Sequence, residues 1–331
     1  MSLPTFTAKS TAEDVAATFG EQIRGKTVLV TGTSINGIGF ETARVLAKYA
    51  GLVIITGYNT DRLNLSAEAI KKETPSANIR QLVLDLSSLT AVRKAAAEVN
   101  AYPEPLHVII HNAAASGSAT LNPTVDGLEP RMATALTGPF LLTKLLAPKL
   151  LASSLSSSSK SDEFTPRVVV VSSAAHAFGP HGVDLGNIAH PDAAKYHNGD
   201  AYFQAKAAGI LFASELARRA KGRIHAYSLH PGGILTNINQ KGQDKLDLIS
   251  MGLLTPEGLP DESKGAWKTM GEGAATTIVA AFDSRLDDES GAYLDDCVVA
   301  NEKVAPHSSN AETASKLWEI TEEIVGEKFT F

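Results

Sequence analysis

Residues 26–43 constrain the fold of this chain more than any other stretch. Their sequence, KTVLVTGTSINGIGFETA, passes from an apolar, β-branched segment through a glycine-rich turn into a segment of helical character. A strand, a glycine-rich turn and a helix in that order can form a diphosphate cradle. The glycines let the backbone approach the phosphates, and the helix N-terminus offers unpaired N–H groups. The spacing Gly32-x4-Gly37-x-Gly39 differs from the Gly-x-Gly-x-x-Gly of the common dinucleotide fingerprint, so the stretch predicts a nucleotide-cofactor fold without defining the type of enzyme.

Short apolar segments alternate with amphipathic helical segments along the rest of the chain. The predicted strands are residues 28–31, 52–56, 79–84, 107–111, 167–172, 223–229 and 292–299. The predicted helices are residues 39–49, 61–73, 88–100, 127–151, 200–221, 271–282 and 311–325. This alternation is typical of βαβ units that build a parallel sheet with helices on both faces. We therefore expect one doubly wound α/β domain over residues 26–331, preceded by a leader, residues 1–25, with one short helix.

Composition excludes several other classes of protein. Of the 331 residues, 44% are hydrophobic and 20% charged, and the net charge is −6 without a long basic run. These values indicate a globular protein and argue against nucleic acid or an anionic membrane surface as a partner. The single Cys297 cannot form an internal disulfide, and no stretch approaches the roughly 20 apolar residues of a membrane span. We expect a cytoplasmic protein with no membrane span, and since the histidine spacings do not suit a metal, we expect no metal site.

Tyr202 and Lys206 form the second informative motif, because residues four apart on a helix lie on one face within mutual reach. An ammonium group beside a phenol stabilises the phenolate and lowers the phenol pKa from about 10, which makes tyrosine a usable proton donor and acceptor. Upstream, an apolar strand ends in Ser172 and Ser173, and the carboxyl ends of parallel strands face the ligand crevice. A serine hydroxyl there, Ser173 rather than a strand-capping Ser172, can bind a substrate carbonyl while Tyr202 supplies the proton.

Together these motifs resemble the short-chain dehydrogenase/reductase family over residues 25–300. The resemblance includes the glycine-rich turn, a strand-end Asn-Ala, a strand-end serine, Tyr-x3-Lys and a later Pro-Gly. Within the family, the chain is most similar to retinol-dehydrogenase-like and fungal oxidoreductases, on the segments SSAAH at 172–176, SGAY at 290–293 and LWE at 317–319. The resemblance implies a Rossmann-type fold and hydride transfer between a nicotinamide and a carbonyl or alcohol carbon.

The resemblance also implies roles for residues that match the family's motifs. Tyr202 would be the general acid/base, Lys206 would lower its pKa and hold the nicotinamide ribose, and Ser173 would orient the substrate oxygen. The residues expected to bind the cofactor are Gly32, Ser34, Gly37, Ile38, Gly39, Asn59, Arg62, Asp85, Leu86, Asn112, Ala113, Tyr202, Lys206, Pro231, Gly232, Ile234 and Thr236.

Three of these segments have distinct expected roles. Asp85-Leu86 matches the positions that face the adenine. Asn112-Ala113 matches the segment that supports the sheet and the cofactor. Residues 231–236 match the segment that packs on the nicotinamide and meets its carboxamide.

The chain departs from the family's pattern at three places. The glycine-rich turn is one residue longer than Gly-x3-Gly-x-Gly, which predicts a local bulge at residues 34–36. His111 and Ala114 stand where the family commonly has Asn and Gly. Alignment of residues 132–140 places Ala135 where the family has a catalytic Asn that helps hold a water in the proton relay to the lysine.

The departure at Ala135 leaves alternatives open. Water can reach Lys206 by another path, past Thr134 or Thr137, or turnover is slow. We favour an oxidoreductase because Ser173, Tyr202 and Lys206 are all present. The alternatives are a catalytically weak cofactor-binding protein and a non-redox isomerase or cyclase on the same scaffold.

Cofactor preference depends on the segment that follows the second strand. An acidic residue about 20 residues beyond the turn would bind a ribose 2′-hydroxyl and favour NAD. Residues 56–62, TGYNTDR, have no acid at the strand end. Arg62 can meet a 2′-phosphate, and Asn59 and Thr60 can donate hydrogen bonds, so we expect NADP, with NAD as the alternative. Arg62 as a plain surface residue fits the sequence nearly as well.

Residues 237–270 have no steady period and contain four glycines and two prolines, which predicts a segment that covers the substrate. Trp267, Met251 and their neighbours there would form a roof over an apolar substrate, or pack the segment without touching substrate. His176 and His181 contact substrate or belong to a polar loop, and these two interpretations are about equal.

The family resemblance further suggests a homodimer or homotetramer through the helices at 127–151 and 200–221.

Overall fold

A computed structural model describes residues 4–155, 164–179 and 181–331. Its centre is an eight-stranded sheet in the order β3-β2-β1-β4-β5-β6-β7-β8. The strands are β1 (Thr27–Val30), β2 (Leu52–Gly57), β3 (Ile79–Val83), β4 (Val108–His111), β5 (Arg167–Val171), β6 (His225–His230), β7 (Tyr293–Asp295) and β8 (Val298–Val299). β1 to β7 are parallel, and β8 is antiparallel to β7. The expected Rossmann-type doubly wound sheet is confirmed, and its order reverses between β1 and β4, where open α/β sheets bind their ligands.

Helices cover both faces of this sheet. They are α1 (Ala12–Thr18), α2 (Gly20–Ile23), α3 (Ile38–Leu46), α4 (Thr60–Glu73), α5 (Leu89–Asn100), α6 (Pro130–Met132), α7 (Gly138–Leu155), α8 (Asn198–Ala220), α9 (Gly242–Ser250), α10 (Met270–Phe282) and α11 (Ala311–Val325). One apolar core joins the sheet to α5, α7, α8 and α11, and the other joins it to α1, α3, α4 and α10. Because both faces are covered, β1 and β5 are buried along their whole length, and β2 is buried at every residue except the last, Gly57.

The leader is part of the second core. Phe6, Val15 and Phe19 are buried there, and the rings of Phe6 and Phe19 meet edge to face at 5.6 Å. Glu13 on α1 also pairs with Lys48 at 2.8 Å, beyond the end of α3. The leader therefore stabilises the face of the sheet that packs against α3 and α10.

The C-terminal helix α11 covers α8 and the start of α7. Its Trp318 is 2% exposed and contacts Phe140 of α7, Phe212 of α8 and the following Phe329, with ring centroids 4.7, 6.1 and 5.0 Å away. The face of α8 that points away from the sheet is thereby buried against the same chain.

Three predicted elements differ from the structure. Residues 292–299 form a hairpin, β7 and β8, because Asp296 and Cys297 both adopt positive φ, 51° and 69°. The helix predicted from residue 127 begins at Pro130 and contains a π-helical turn, Ala133–Thr137. The serine-rich composition of residues 153–162 predicts a solvated connection between a helix and the fifth strand, but residues 153–155 still belong to α7, and residues 156–162 lie outside the described residues.

One helical stretch, Pro130–Ser154, is long and apolar enough to cross a membrane by length and composition alone. The expectation that no stretch has this composition was therefore wrong. Within its most apolar window, 61% is buried inside the protein, as in the core helix of a globular domain.

Candidate active site

The glycine-rich turn lies against the end of β4, and two of its glycines are required by this close approach. Gly32 has φ of 72°, and a Cβ there would lie 2.8 Å from the Cα of Ala113. A Cβ at Gly39 would lie 2.3 Å from Nδ2 of Asn112 and 2.6 Å from the carbonyl oxygen of Gly32. The turn is therefore shaped by contact with the next strand of the sheet.

The turn presents a helix N-terminus beside the topological switch point. Gly37 is the N-cap residue of α3, Ile38 is its first residue, and no described side chain caps this end. Asn36 takes the left-handed conformation, with φ of 62°, which accommodates the extra residue within the predicted bulge that begins at Ser34. Uncapped N–H groups beside Gly37 and Gly39, which have no side chains, suit the charge and size of a diphosphate, so this turn fits a dinucleotide.

The predicted cofactor residues after β4 and β3 surround the same cleft. Asn112 donates through Nδ2 to the carbonyl oxygens of Thr31 and Gly32, at 3.0 and 3.1 Å, and so joins the ends of β1 and β4. Asp85 accepts from the N–H of Ser87 at 2.9 Å and shapes the turn after β3. Leu86 is buried, and its carbonyl oxygen lies 2.3 Å from where a Cβ on Gly138 would be, so it packs against the start of α7.

The end of β2 carries the residues expected to select the cofactor. Asn59 is the N-cap of α4 and accepts from the N–H of Arg62 at 2.9 Å, so its oxygen is engaged in helix capping. The Arg62 guanidinium lies over the ring of Tyr58, 4.8 Å from its centroid, and that ring is 64% exposed. The structure therefore holds a cation, steadied by an aromatic ring, beside the position expected for the adenosine ribose.

The segment after β6 closes the other side of the cleft. At Gly232, φ is 102°, and a Cβ would collide with Lys268, 2.5 Å away. After Pro231 and Gly232, Ile234 is 6% exposed, and the hydroxyl of Thr236 donates to Asn239 at 2.6 Å. Farther along, Asn237 donates to the carbonyl oxygen of Ile35 at 2.5 Å, so this segment reaches the glycine-rich turn.

The three predicted catalytic residues meet at the carboxyl end of β5. Ser173 lies close enough to Tyr202 for its hydroxyl to lower the pKa of the phenol, and its Oγ accepts from the N–H of Ala175 at 3.1 Å. The ammonium of Lys206 lies 5.5 Å from the Tyr202 ring centroid and donates to the carbonyl oxygen of Val171 at 3.1 Å. Ser172 instead donates to the carbonyl oxygen of Lys206 at 2.7 Å, which makes it the structural member of the serine pair.

Burial dominates the electrostatics of this group. Desolvation raises the pKa of Tyr202, while the nearby hydroxyl of Ser173 and the positive charge of Arg131 lower it. Desolvation, with Arg131 as the second cause, lowers the pKa of Lys206 to about 8. The positive charge that lowers the pKa of Tyr202 is therefore that of Arg131, which the sequence interpretation did not consider.

A small cavity adjoins Lys206 on the side of Ala135. It has a volume of about 10 Å³, room for one water molecule, and is lined by Thr134, Ala135, Pro139, His111 and Lys206 among others. The π-helical turn forms one wall, and Pro139 has no N–H with which to satisfy a carbonyl of that turn.

His111 lines the same cavity and is 4% exposed. Its Nε2 and the hydroxyl of Thr143 are 2.8 Å apart, whereas its buried Nδ1 has no partner among the described residues. Burial lowers the pKa of His111 to about 3, so the ring is neutral. His111 stands where the family commonly has an Asn. Its Nδ1 is thus a polar atom in the same cavity as Ala135, the position where the family has its catalytic Asn.

The covering segment, residues 237–270, contains one helix, α9, that its sequence did not reveal. None of the residues of α9 is buried, Met251 after it is 55% exposed, and Leu254 is 2% exposed. Trp267 lies beside the cofactor segment, where it forms a parallel bridge with Gly233. Asp244 of α9 pairs with Arg131, which is 4% exposed.

Sequence reasoning missed Arg131. The available signal was a lone charge between Glu129 and Lys144 in an otherwise uncharged, apolar stretch.

The two histidines after the catalytic serine have different environments. His176 is 1% exposed, Nδ1 lies 2.7 Å from the carbonyl oxygen of Ser173, and Nε2 accepts from the N–H of Ala305 at 3.1 Å. It therefore ties the catalytic loop to the C-terminal region, while His181 is exposed. In the part of the chain that the structure describes, no group of three or more metal-ligating side chains is found.

The parallel sheet, the glycine-rich turn and the Ser-Tyr-Lys group define a nucleotide-dependent oxidoreductase fold. A family model for short chain dehydrogenase matches residues 26–183. The chloroplastic short-chain dehydrogenase TIC 32 A of Brassica napus is 34% identical over 323 residues, covering 96% of this chain and 93% of that protein. The short-chain dehydrogenase/reductase prx1 of Penicillium rubens is 34% identical (91% and 85% covered), and retinol dehydrogenase 12 of Bos taurus is 33% identical (92% and 88% covered).

Solved structures show the same fold. A protein of Mycobacterium paratuberculosis, described as putative and uncharacterised, matches with a TM-score of 0.66 and 26% identity over 94% of this chain and 98% of its own. A putative short chain dehydrogenase of Escherichia coli, complexed with NADPH, matches with a TM-score of 0.60 and 22% identity over 83% of this chain and 98% of its own. The chain belongs to the short-chain dehydrogenase/reductase family, and its relatives include the retinol-dehydrogenase-like and fungal members expected from its sequence.

Proposed function

We propose that this protein is a carbonyl reductase that uses NADP to reduce an apolar ketone or aldehyde, with Tyr202 as general acid/base. The observation that carries the proposal is the placement of Ser173 and buried Lys206 beside Tyr202 at the carboxyl end of the sheet, with the Lys206 ammonium 5.5 Å from the Tyr202 ring centroid. When bound, the nicotinamide supplies the hydride. Ser173 orients the carbonyl oxygen, and Tyr202 donates its phenolic proton to that oxygen as negative charge develops there.

Lys206 stabilises the phenolate that remains on Tyr202 after proton transfer. A proton then returns to the phenolate, and the cavity beside Lys206 has room for a water on that path. Nδ1 of His111 and a carbonyl of the π-helical turn, relieved of its N–H partner by Pro139, would hold this water in place of the amide missing at Ala135. This arrangement would make the proton relay independent of the family's Asn.

NADP is proposed over NAD because Arg62 and Tyr58 offer a steadied cation at the end of β2, without an acid there to bind a ribose 2′-hydroxyl. The residues proposed to hold the dinucleotide are those of the glycine-rich turn, Asn59, Arg62, Asp85-Leu86, Asn112-Ala113, Tyr202, Lys206 and residues 231–236. Fluorescence titration with NADPH and NADH tests the preference. Arg62→Ala should weaken NADPH binding selectively, while Lys72→Ala, an exposed cation at the far end of the same helix, should not.

The Tyr202→Phe variant tests the reaction. Loss of the general acid should lower NADPH-dependent reduction of a panel of apolar aldehydes and ketones by about 10²- to 10⁴-fold. NADPH affinity should be retained, since the phenyl ring keeps the packing. Unchanged turnover in this variant would defeat the proposal.

A second candidate function follows from Ala135. If the relay fails without the Asn, the protein binds NADPH but turns over no carbonyl in a broad panel, as a catalytically weak binding protein would. A non-redox isomerase or cyclase on the same scaffold would form product without net NADPH oxidation. Measuring both product and NADPH consumption separates these cases.

We further propose a cytoplasmic location, on the composition and charge of the chain, although two relatives from Brassica napus are named as chloroplastic. Self-association as a homodimer or homotetramer stays a prediction. Because α11 covers α8, an interface between copies would have to use another surface than the one suggested by the family resemblance.

A further inference from the structure

A buried arginine contacts the proposed proton donor from a different helix. Arg131 belongs to α6, is 4% exposed, and its guanidinium carbon lies 5.1 Å from the centroid of the Tyr202 ring. Its Nη2 donates to Oδ1 of Asn198 at 3.0 Å, which fixes the guanidinium between α6 and the start of α8. A cation held against a phenol ring favours the phenolate and also restrains the ring.

The counter-charge of Arg131 comes from the covering segment. Nη2 of Arg131 donates to Oδ1 of Asp244 on α9, and Oδ2 of Asp244 accepts from the N–H of Gly117 at 2.8 Å. Nδ2 of Asn198 donates to Asp244 and Asp247, at 3.3 and 2.7 Å. None of the residues of α9 is buried, and these polar contacts join the helix to the active-site wall.

Two cations face the Tyr202 ring, Lys206 from α8 itself and Arg131 from α6. Two carboxyl groups lie near Arg131: Asp244 of α9 pairs with it, and burial raises the pKa of Glu129 while Arg131 lowers it. Burial and the nearby Ser173 hydroxyl have the larger effects on the pKa of Tyr202; after them, Arg131 lowers this pKa and Asp244 raises it. Arg131 also lowers the pKa of Lys206, so it acts on both members of the Tyr-Lys pair.

We propose that Arg131 is a positioning residue for Tyr202, which holds the phenol ring and stabilises its phenolate, and that Asp244 couples this stabilisation to the position of the covering segment. With α9 attached, the Asp244 carboxylate offsets part of the Arg131 charge. When α9 moves away, Arg131 keeps its place through Asn198 and its full charge acts on Tyr202. The strength of the proton donor is thus set in part by the segment that covers the site. This inference rests on the proposed role of Tyr202 and adds a second cation and its regulator to it.

Direct titration of the tyrosine tests the inference without requiring turnover. The full-length protein is labelled with [¹³Cζ]tyrosine, which gives seven signals at most, and the Tyr202 signal is assigned by its loss in Tyr202→Phe. The variants are Arg131→Gln, Arg131→Lys and Asp244→Asn. We expect the pKa of Tyr202 to rise in Arg131→Gln, to stay close to wild type in Arg131→Lys, which keeps the charge, and to fall in Asp244→Asn.

Asp247→Asn is the matched control for movement of α9. Its carboxylate lies on the same helix and accepts from the same Asn198, but it bonds Gln243 rather than Arg131. The Asp247→Asn variant should therefore have the same Tyr202 pKa as wild type. If Asp247→Asn lowers the pKa of Tyr202 as much as Asp244→Asn does, exposure of the site governs the titration and the coupling is overturned.

The decisive result is a Tyr202 pKa that rises in Arg131→Gln and falls in Asp244→Asn. If Arg131→Gln does not fold, as judged by circular dichroism, Asp244→Asn alone decides, because a Tyr202 that titrates no earlier than in wild type overturns the inference. If carbonyl turnover is measurable, the pKa that limits its pH–rate profile on the alkaline side should shift in each variant in the same direction as the Tyr202 pKa measured by NMR. Absence of turnover with the expected NMR shifts would defeat the proposed reductase function and leave the charge coupling intact.

Discussion

Replacing Gly39 by alanine should damage the cofactor site through one well-defined collision. The new Cβ would lie 2.3 Å from Nδ2 of Asn112 and 2.6 Å from the carbonyl oxygen of Gly32, both closer than real Cβ contacts allow. Because the second contact is with backbone, a change of rotamer cannot relieve it. Either Asn112 and the turn move apart, or the turn keeps its shape under strain.

The size of the effect follows from the bonds that must give way. Displacing Asn112 breaks its hydrogen bonds to Thr31 and Gly32, at 3.0 and 3.1 Å. At about 0.5–1.5 kcal/mol each, they amount to about 1–3 kcal/mol. If the turn shifts, this cost falls on NADPH affinity, as a loss of about 5- to 150-fold. If the turn holds, the same cost falls on the free energy of unfolding.

Two measurements and two control variants separate these outcomes. NADPH affinity comes from fluorescence titration and stability from urea unfolding without cofactor. Gly37→Ala should have a smaller effect, because its Cβ meets only the carbonyl oxygen of Ser34, at 3.1 Å. Combining Gly39→Ala with Asn112→Ala should cost less than the sum of the single changes, since the amide that collides is gone. A Gly39→Ala protein with wild-type affinity and wild-type stability would refute the assignment of the turn.

Three further outcomes are expected. Trp318→Ala, which removes a ring packed on three others, should lower the free energy of unfolding by about 3–5 kcal/mol in urea denaturation, and Trp318→Phe by less; a loss below about 1 kcal/mol would contradict the described packing. His111→Leu should lower kcat roughly tenfold with unchanged NADPH affinity, the value of one hydrogen bond, while full activity would exclude His111 from the proton relay. Because the folded pKa of His111, about 3, lies below its unfolded value of about 6.5, the stability due to neutral His111 is complete above pH 6.5 and is lost as pH falls towards 3. Between pH 8 and pH 5, wild type should therefore lose about 2 kcal/mol more stability than His111→Gln, and parallel pH profiles would contradict this.

The fold was predictable from the sequence because each element carried its own period. The apolar runs of β1 and β2 are short and rich in β-branched residues, which indicates buried strands, and the apolar stripe of α11 has the spacing of one helix face. The β7–β8 hairpin was missed because its turn uses Asp296 and Cys297 at positive φ, without the glycine that normally signals such a turn. The π-helical turn was missed because a single wide turn does not alter the apolar pattern of a buried helix.

The candidate site was only partly predictable. Ser173, Tyr202 and Lys206 are found together because strand ends and helix spacing place residues that are far apart in sequence at one edge of the sheet. Arg131 and Asp244 meet across 113 residues through two elements whose relative placement depends on tertiary packing. The sequence shows that His111 stands where the family commonly has Asn. That its Nδ1 has no partner among the described residues is known only from the structure, in which Thr143 lies beside the other ring nitrogen.

The covering of α8 by α11 within one chain has a consequence for the stability of the protein on dilution. An enzyme whose long helices are covered by a second copy is stable only while its concentration keeps the copies together. Here the covering helix is tethered to the same chain, so its local concentration is fixed by chain connectivity and does not fall in dilute solution. The hydrophobic surface that would otherwise invite a partner is thus protected in every molecule, even one far from any other.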